Sequence, residues 1–337
     1  MSMEALVKPR EPTAQLRYHI EDDSNVGEAR RAAQAMANFE FDAHTAGRVA
    51  IVATELANNL LRHAGGGEML IQVLGSDGAT LLEILAIDRG PGMADIGRCM
   101  TDGYSTIGTP GTGLGAARRL SDEFDLHSTP GQGTVVMARF GPELPVRYGA
   151  ICVAMRGEVD CGDAWHVVGD GRATAAMLID GLGHGSFAAE AARAGIAAFA
   201  NSPWEAPQQL LQIAGTAMSK TRGGAAASAL IRRDVHGGDK LWYAGIGNIS
   251  GSLISRGKSQ GLVSHAGTLG MQVRKAQQFE YTRAPGALLV MHSDGLSARW
   301  SFRDEPDLFL HHPAILAALL YRDHSRQHDD ATVLVIA

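Results

Sequence analysis

Four apolar runs in this chain stop or start on an aspartate, and that pattern limits the folds open to it. TLLEILAID ends at Asp88, AAMLID at Asp180 and ALLVMHSD at Asp294, each with a glycine one or two positions on; ATVLVIA is preceded by Asp329 and Asp330. Short apolar runs of this kind, bounded by turn residues, read as buried strands. A carboxylate at the end of a buried strand is costly unless it is paired, hydrogen-bonded or bound to a cation. One Asp-Gly alone would be an ordinary turn. Recurrence at several strand ends points to sheets whose ends converge on polar sites.

The rest of the pattern divides the chain. Residues 25–40 and 42–64 read as helices, the second carrying Val49, Val52, Ala53, Leu56 and Leu60 at helical spacing and ending at Gly65–Gly67. MLIQVL (69–74) and TLLEILAID (80–88) read as a hairpin around Gly75-Ser76-Asp77-Gly78, followed by a helix at 113–122 and strands at 124–128 and 133–140. Gly141-Pro142-Glu143-Leu144-Pro145 looks like a linker. Beyond it, strands are expected at 149–156, 164–169, 173–180, 227–234, 240–246, 250–254, 287–292 and 331–336, with helices at 187–199, 205–219 and 313–322. In this second half, strands, then helices, then strands predict an α+β sandwich rather than a doubly wound sheet. The expected organisation is a first domain at 13–141, a linker at 142–148 and a second domain at 149–337.

Bulk properties exclude several classes. A net charge of -6 with no basic stripe argues against nucleic acid as a partner. The three cysteines, Cys99, Cys152 and Cys161, lack metal-ligand spacing and suit a reducing compartment as small core residues. No apolar run reaches the ~18 residues of a membrane span, and the first residues lack an apolar signal core. A cytoplasmic protein without membrane contact is expected.

Glu55, Asn59 and His63 stand at i, i+4 and i+8, on one helix face. A solvated face would explain them on that helix alone. Three glycine motifs follow in order: Asp88-Arg89-Gly90-Pro91-Gly92 after a strand, Gly111-Thr112-Gly113-Leu114-Gly115 opening a helix, and Gly131-Gln132-Gly133-Thr134 leading a strand. Free N–H groups at a helix start favour phosphate. A lone glycine motif says little, but the ordered set resembles the GHKL ATPase superfamily over about 15–140. The resemblance implies an ATP site with Mg²⁺ held by Asn59, and Glu55 as general base. Asp88, supported by Thr134, would take the adenine amino group. Gly90 and Gly92 would let the backbone approach the base, and Gly111, Gly113 and Gly115 would cradle phosphate. Asp102-Gly103-Tyr104-Ser105-Thr106 and Arg119-Leu120-Ser121-Asp122-Glu123-Phe124 are similar to RsbT-like switch kinases and their anti-sigma relatives. Those act on Ser or Thr of STAS-domain partners. Residues 103–112 would then form a lid. His63 is read as a packing residue.

In the second half, Gly162-Asp163, Asp180-Gly181-Leu182-Gly183-His184-Gly185, Ser293-Asp294-Gly295 and Asp329-Asp330-Ala331-Thr332 occur in that order. Carboxylate oxygens without paired Cys or His select Mg²⁺ or Mn²⁺. The set resembles metal-dependent PPM phosphatases, in particular the SpoIIE branch and its compact RsbX-like members, over about 148–337. The resemblance implies a compact α-β-β-α sandwich holding two ions ~3.5–4 Å apart. Asp180 would bridge them with the Gly181 carbonyl as a further ligand, Asp163 would hold one ion, and Asp294 and Asp329 the other. Asp329 matches the family better than Asp330. No clear phosphate-binding arginine emerges; Arg156 and Arg172 are the candidates. His184 is either the proton donor to the leaving group or a structural loop residue.

Together the halves imply a bifunctional Ser/Thr kinase and phosphatase acting on STAS-domain anti-sigma antagonists or stressosome scaffold proteins. A sigma factor or a downstream phosphatase or cyclase would be a further partner. Two alternatives stay open: an anti-sigma binding head fused to a phosphatase, and a phosphatase regulated by ATP binding.

Overall fold

The computed structural model describes residues 15–76, 79–100, 113–233, 238–271, 276–302, 305–326 and 328–337. The chain forms two compact units, one built on residues 13–74 and 79–143 and the other on 144–337.

The first unit runs β1 (Leu16–Ile20), α1 (Asp23–Glu40), α2 (Ala43–Ala64), β2 (Gly67–Ser76), β3 (Ala79–Ile87), α3 (Ile96–Cys99), α4 (Gly113–Leu120), β4 (Glu123–Thr129) and β5 (Gly133–Phe140). Its sheet has the order β1-β2-β3-β5-β4. Local chemistry fixes the helix ends. Asp22 caps α1, accepting from the N–H groups of Ser24 and Asn25, and Asp42 caps α2 through Thr45 N–H. Gly65, at φ 74°, closes α2 in the left-handed conformation that glycine adopts without strain. The apolar faces of α1 and α2 bury Ala33, Val49, Val52, Ala53, Leu56 and Leu60 against sheet residues such as Ile71, Ile84 and Val136. At about 25 cal/mol per Å² of apolar area, that contact drives the layering.

The second unit runs β6 (Tyr148–Val153), β7 (Asp163–Gly169), β8 (Ala173–Gly181), α5 (Ser186–Asn201), α6 (Pro207–Ala217), β9 (Gly224–Arg232), β10 (Asp239–Ile246), β11 (Ser250–Ser255), β12 (Lys258–Gly261), β13 (Ser264–His265), β14 (Phe279–Arg283), β15 (Leu288–His292), α7 (Pro313–His324) and β16 (Ala331–Ile336). One sheet has the order β13-β10-β9-β8-β7 with β14 also on β10, and the other β12-β11-β15-β16-β6. The sheets face each other: Tyr148 of β6 meets Trp165 of β7 edge-on at 5.7 Å, and a methyl on Gly251 of β11 would strike Tyr243 of β10. Helices α5 and α6 cover the first sheet through Ala191, Ile196, Phe199 and Leu210, with Met218 just past the end of α6. Helix α7 covers the second so closely that a methyl on Gly149 would lie 2.1 Å from Ala314 Cα. The result is the expected α-β-β-α sandwich.

The differences from the sequence reading have physical causes. Strand β1 is a short edge strand and α3 a single turn, too brief to leave a periodic signal. Strands β12 and β13 are short and polar, and β14 alternates half-buried Phe279 and Tyr281 with exposed Glu280 and Thr282 over only five residues. Strand β6 ends at Val153, before the expected 156, because Met155 N–H leaves the ladder to donate to Asp330 Oδ1 at 2.8 Å. Helix α4 stops at Leu120 because Asp122 N–H joins Arg139 O of the sheet.

Candidate functional site

In the first unit α2 presents Glu55 and Asn59, both half-buried, and carries His63 out into solvent. The first turn of α4 lies directly over the pair: a methyl on Gly113 would sit 3.1 Å from Glu55 Oε2 and 3.3 Å from Asn59 Oδ1. Asn59 Nδ2 is buried with no hydrogen-bond partner among the described residues. A buried amide left unsatisfied costs about 1–3 kcal/mol, so this arrangement stands ready for a polar ligand. Gly115 lies buried on α4.

Asp88 follows β3 and is tied into the same end of the sheet. Its N–H donates to Thr134 O at 2.9 Å. Its Oδ1 accepts from Gly90 N–H at 2.8 Å and Thr134 N–H at 3.1 Å. The Thr134 hydroxyl pairs with Ser128 Oγ at 2.8 Å. Glycine is required around this carboxylate. Gly92 has φ 67° and a methyl there would meet Thr129 O at 2.2 Å; Gly133 has φ 90° and a methyl would meet Asp88 O at 2.1 Å. The fold therefore brings Gly113 to Glu55 and Asn59, and Gly90 and Thr134 to Asp88. Gly111 and the expected lid at 103–112 lie outside the described residues.

The carboxylates of the second unit gather at one end of the sandwich. Asp163 opens β7 and Asp180 is the penultimate residue of β8, directly opposite it across the antiparallel pair. Gly181 follows, packed so that a methyl would lie 2.2 Å from Ala188 O. Asp294 follows β15 and Asp329 precedes β16, its antiparallel neighbour. Asp330 joins the two sheets, accepting from Gly162 N–H at 2.9 Å and Met155 N–H at 2.8 Å.

Like charges in a partly dry site raise one another's pKa. Asp163 is pushed well up, first by burial and then by the charge of Asp180. Asp180 is pushed from 3.8 to about 7 by burial and then by Asp294 and Asp329. Asp329 is raised by burial and by Asp294. Asp163 Oδ2 is buried with no partner among the described residues. No three Asp, Glu, His or Cys side chains among the described residues already close into an ion cage. The donor set, hard carboxylate oxygens with an orphaned Asp163 atom, fits a Mg²⁺ or Mn²⁺ site.

The structure revises several sequence candidates. Arg172 sits in the β7–β8 turn, eight residues from Asp180 and thus roughly 26 Å away along the strand; it is no phosphate ligand. Arg156 is exposed on the loop that also carries Met155. Arg222, which the sequence reading missed, lies at the Asp180–Gly185 loop: a methyl on Gly183 would be 3.2 Å from its guanidinium, which stacks over Phe187 at 4.9 Å. Asn248 was also missed; it donates to Asp294 Oδ2 at 2.7 Å. Its Gly-x-Gly-Asn setting carries no acidic signal that would have marked it. His184 pairs with Glu158 at 2.7 Å through Nδ1. A cavity of about 450 Å³ opens beside Asn248, walled by Ser250, Ser252, Ser264, His292 and Trp300.

The model of the histidine kinase-like ATPase domain family matches residues 21–140, and that of the stage II sporulation protein E (SpoIIE) family matches residues 170–337. Over 91 residues, 27% of this chain, the sequence is 43% identical to serine/threonine-protein kinase RsbT of Bacillus subtilis (strain 168), covering 68% of that protein. A chain solved under the description "The bacterial stressosome: a modular system that has been adapted to control secondary messenger signaling" is 26% identical, with a TM-score of 0.53, over 57% of this chain and 99% of that one. RsbX in complex with magnesium is 22% identical over 57% of this chain and 96% of that one, with a TM-score of 0.49.

Proposed function

We propose, on the premise that this chain belongs to the RsbT family of histidine kinase-like ATPases and carries a SpoIIE-family phosphatase domain, that it both phosphorylates and dephosphorylates Ser and Thr side chains on STAS-domain partners. One observation carries this reading. A helix N-terminus over a carboxylate–amide pair, and a cluster of mutually repelling carboxylates, occur in one chain. The first accepts a nucleotide; the second accepts cations.

In the kinase half, Glu55 takes the proton of the attacking hydroxyl, a role worth about 10²–10⁴-fold in rate. Asn59 holds Mg²⁺, whose charge offsets that of the triphosphate. Gly113 and Gly115, with Gly111 before them, let the start of α4 approach the phosphates. Asp88 receives the adenine amino group, with Gly90 and Gly92 against the ring and Thr134 bracing the carboxylate.

In the phosphatase half, Asp180, Asp163, Asp294, Asp329 and the Gly181 carbonyl hold two divalent ions. Bound there, such ions neutralise phosphate charge and lower the pKa of water near neutrality. Asn248 steadies Asp294, Arg222 offers its guanidinium to the phosphate, and His184, held by Glu158, carries a proton for the leaving alkoxide. The cavity at Trp300 receives the substrate chain beside the phosphoresidue. No helix among the described residues is long and apolar enough to cross a membrane, and we place the activity in the cytoplasm with its STAS partner.

The test combines purified protein, a STAS-domain substrate and γ-labelled ATP, with and without Mn²⁺, alongside Asp180→Asn. Label should accumulate with the variant and be erased by the parent protein when Mn²⁺ is present. Absence of label under every condition, with phosphate still removed from a phosphorylated partner, would sink the kinase half alone.

A further inference from the structure

Two of the three cysteines meet in the second unit. Cys152 lies on β6 and Cys161 on the loop that leads into β7, and their sulfurs are 3.5 Å apart. Both residues are half-buried and free of any disulfide, with the sulfurs themselves turned inward. Cys152 Sγ also contacts Asp163 O at 3.5 Å. The next residue after Cys161, Gly162, donates to Asp330, which is anchored again by Met155 N–H. The thiol pair therefore brackets the segment that positions Asp163 and Asp330. The sequence reading took these cysteines as small core residues. Nine residues apart, they carry no pairing signal; only the fold brings them together.

We propose that Cys152 and Cys161 are a modification site that reacts with hydroperoxides to form an intramolecular disulfide, and that this bond disables the adjoining carboxylate site. The step balances. One thiol takes an OH from hydrogen peroxide, becoming a sulfenic acid and releasing one water. The second sulfur attacks the first, the S–S bond forms and the OH leaves with the second thiol's proton as another water. Each sulfur gives up one electron, and the two reduce the O–O bond. A disulfide requires about 2.05 Å between sulfurs, so closure from 3.5 Å pulls the loop at Cys161 towards β6. Asp163, two residues on, moves with it. Gly162 cannot absorb the shift, because it is packed against Ala188 and Asp330. Cys99 belongs to the other unit, on α3.

The experiment uses full-length protein carrying Cys99→Ser, treated with hydrogen peroxide in the presence of a chelator and then freed of both. The expected result is loss of both remaining titratable thiols and a tryptic species linking the peptides of Cys152 and Cys161, lighter by two hydrogen atoms. Mn²⁺ binding, read by calorimetry, should weaken about tenfold or more and recover with dithiothreitol. Cys152→Ser and Cys161→Ser should each abolish the link and the peroxide effect; Cys161→Ala serves if a serine variant fails to fold. Two thiols still titrating after treatment, separate sulfinic acids, or a bond that leaves Mn²⁺ binding unchanged would overturn the proposal. The bond itself does not depend on the phosphatase reading. A reduced protein inactive on phosphoprotein would defeat that reading while the peptide map still judged the disulfide.

Discussion

The two units solve opposite electrostatic problems. Around Asp88 the first unit surrounds a carboxylate with backbone donors from Gly90 and Thr134, and sets a helix N-terminus over Glu55 and Asn59. The Asp88 carboxylate is satisfied before any ligand arrives, and Asn59 Nδ2 is a buried group left open among the described residues. In the second unit Asp163, Asp180, Asp294 and Asp329 crowd together, and burial with mutual repulsion raises the pKa of Asp163, Asp180 and Asp329. The lesson is that a site for an anion can be built in advance from glycine and N–H groups. A site for cations stores repulsion that only the cation relieves.

The sharpest way to break this contrast is Asp180→Asn. Phosphatase turnover on phosphoprotein should fall by about 100-fold or more, because the position central to the ion site is neutralised. The metal-free variant should melt higher than the parent, since a repelled buried charge is gone. Nucleotide affinity, measured by calorimetry, should not move; a loss there would deny the independence of the two sites.

Glu55→Gln comes next. Phosphotransfer to the STAS partner should drop about 100-fold while ATP still binds. Unchanged phosphotransfer would remove Glu55 from the chemistry. Retained nucleotide-dependent binding to a sigma factor, with no phosphotransfer in the parent protein, would favour the anti-sigma alternative. Gly113→Ala should then weaken ATP binding about tenfold, since overpacking costs about 1–3 kcal/mol and the added methyl lands on Glu55 and Asn59. Equal ATP affinity in parent and variant, by fluorescence titration, would show that the ligand does not use this approach.

The pH dependence sharpens the contrast from the other side. Asp180 titrates at about 7 when folded, against an ordinary 3.8. Between those values the folded, metal-free protein binds more protons than the unfolded chain, so stability must fall as pH rises through that window. Asp163, Asp329 and Asp330 act in the same direction. Melting temperature without metal should decline from about pH 4 to about pH 7; Mn²⁺ should restore it, more at the upper end. A melting temperature that rises over that range would refute the stored repulsion. The smallest effect is expected at the cavity. Trp300→Ala should raise KM for phosphoprotein a few-fold, roughly 1 kcal/mol, and leave hydrolysis of a small aryl phosphate unchanged.

Much of this was legible in the chain, and the reasons are local. Helix α2 declares itself through its periodic apolar face and Gly65, and the Asp-Gly strand ends announce themselves because buried carboxylates need a partner. Other features were hidden because they exist only across strands. Glu83 and Arg139, an acid and a base inside strands, form a buried pair at 2.7 Å, with Gln72 donating to Glu83; no window of sequence shows that they face each other. Asp329 and Asp330 are identical neighbours in sequence, yet the fold spends Asp330 on two backbone N–H groups and leaves Asp329 beside Asp294.

The sequence by itself determined the elements and the residue types at their ends, because periodicity, capping and turn chemistry act within a few residues. The tertiary structure alone decided which of those ends meet. It placed Gly113 over Glu55, set Asp163 opposite Asp180, brought Arg222 and Asn248 to the phosphatase end and moved Arg172 away. It also closed Cys152 on Cys161. Those meetings depend on register and layer packing between strands far apart in the chain, and one residue of slip would turn every such side chain to the other face.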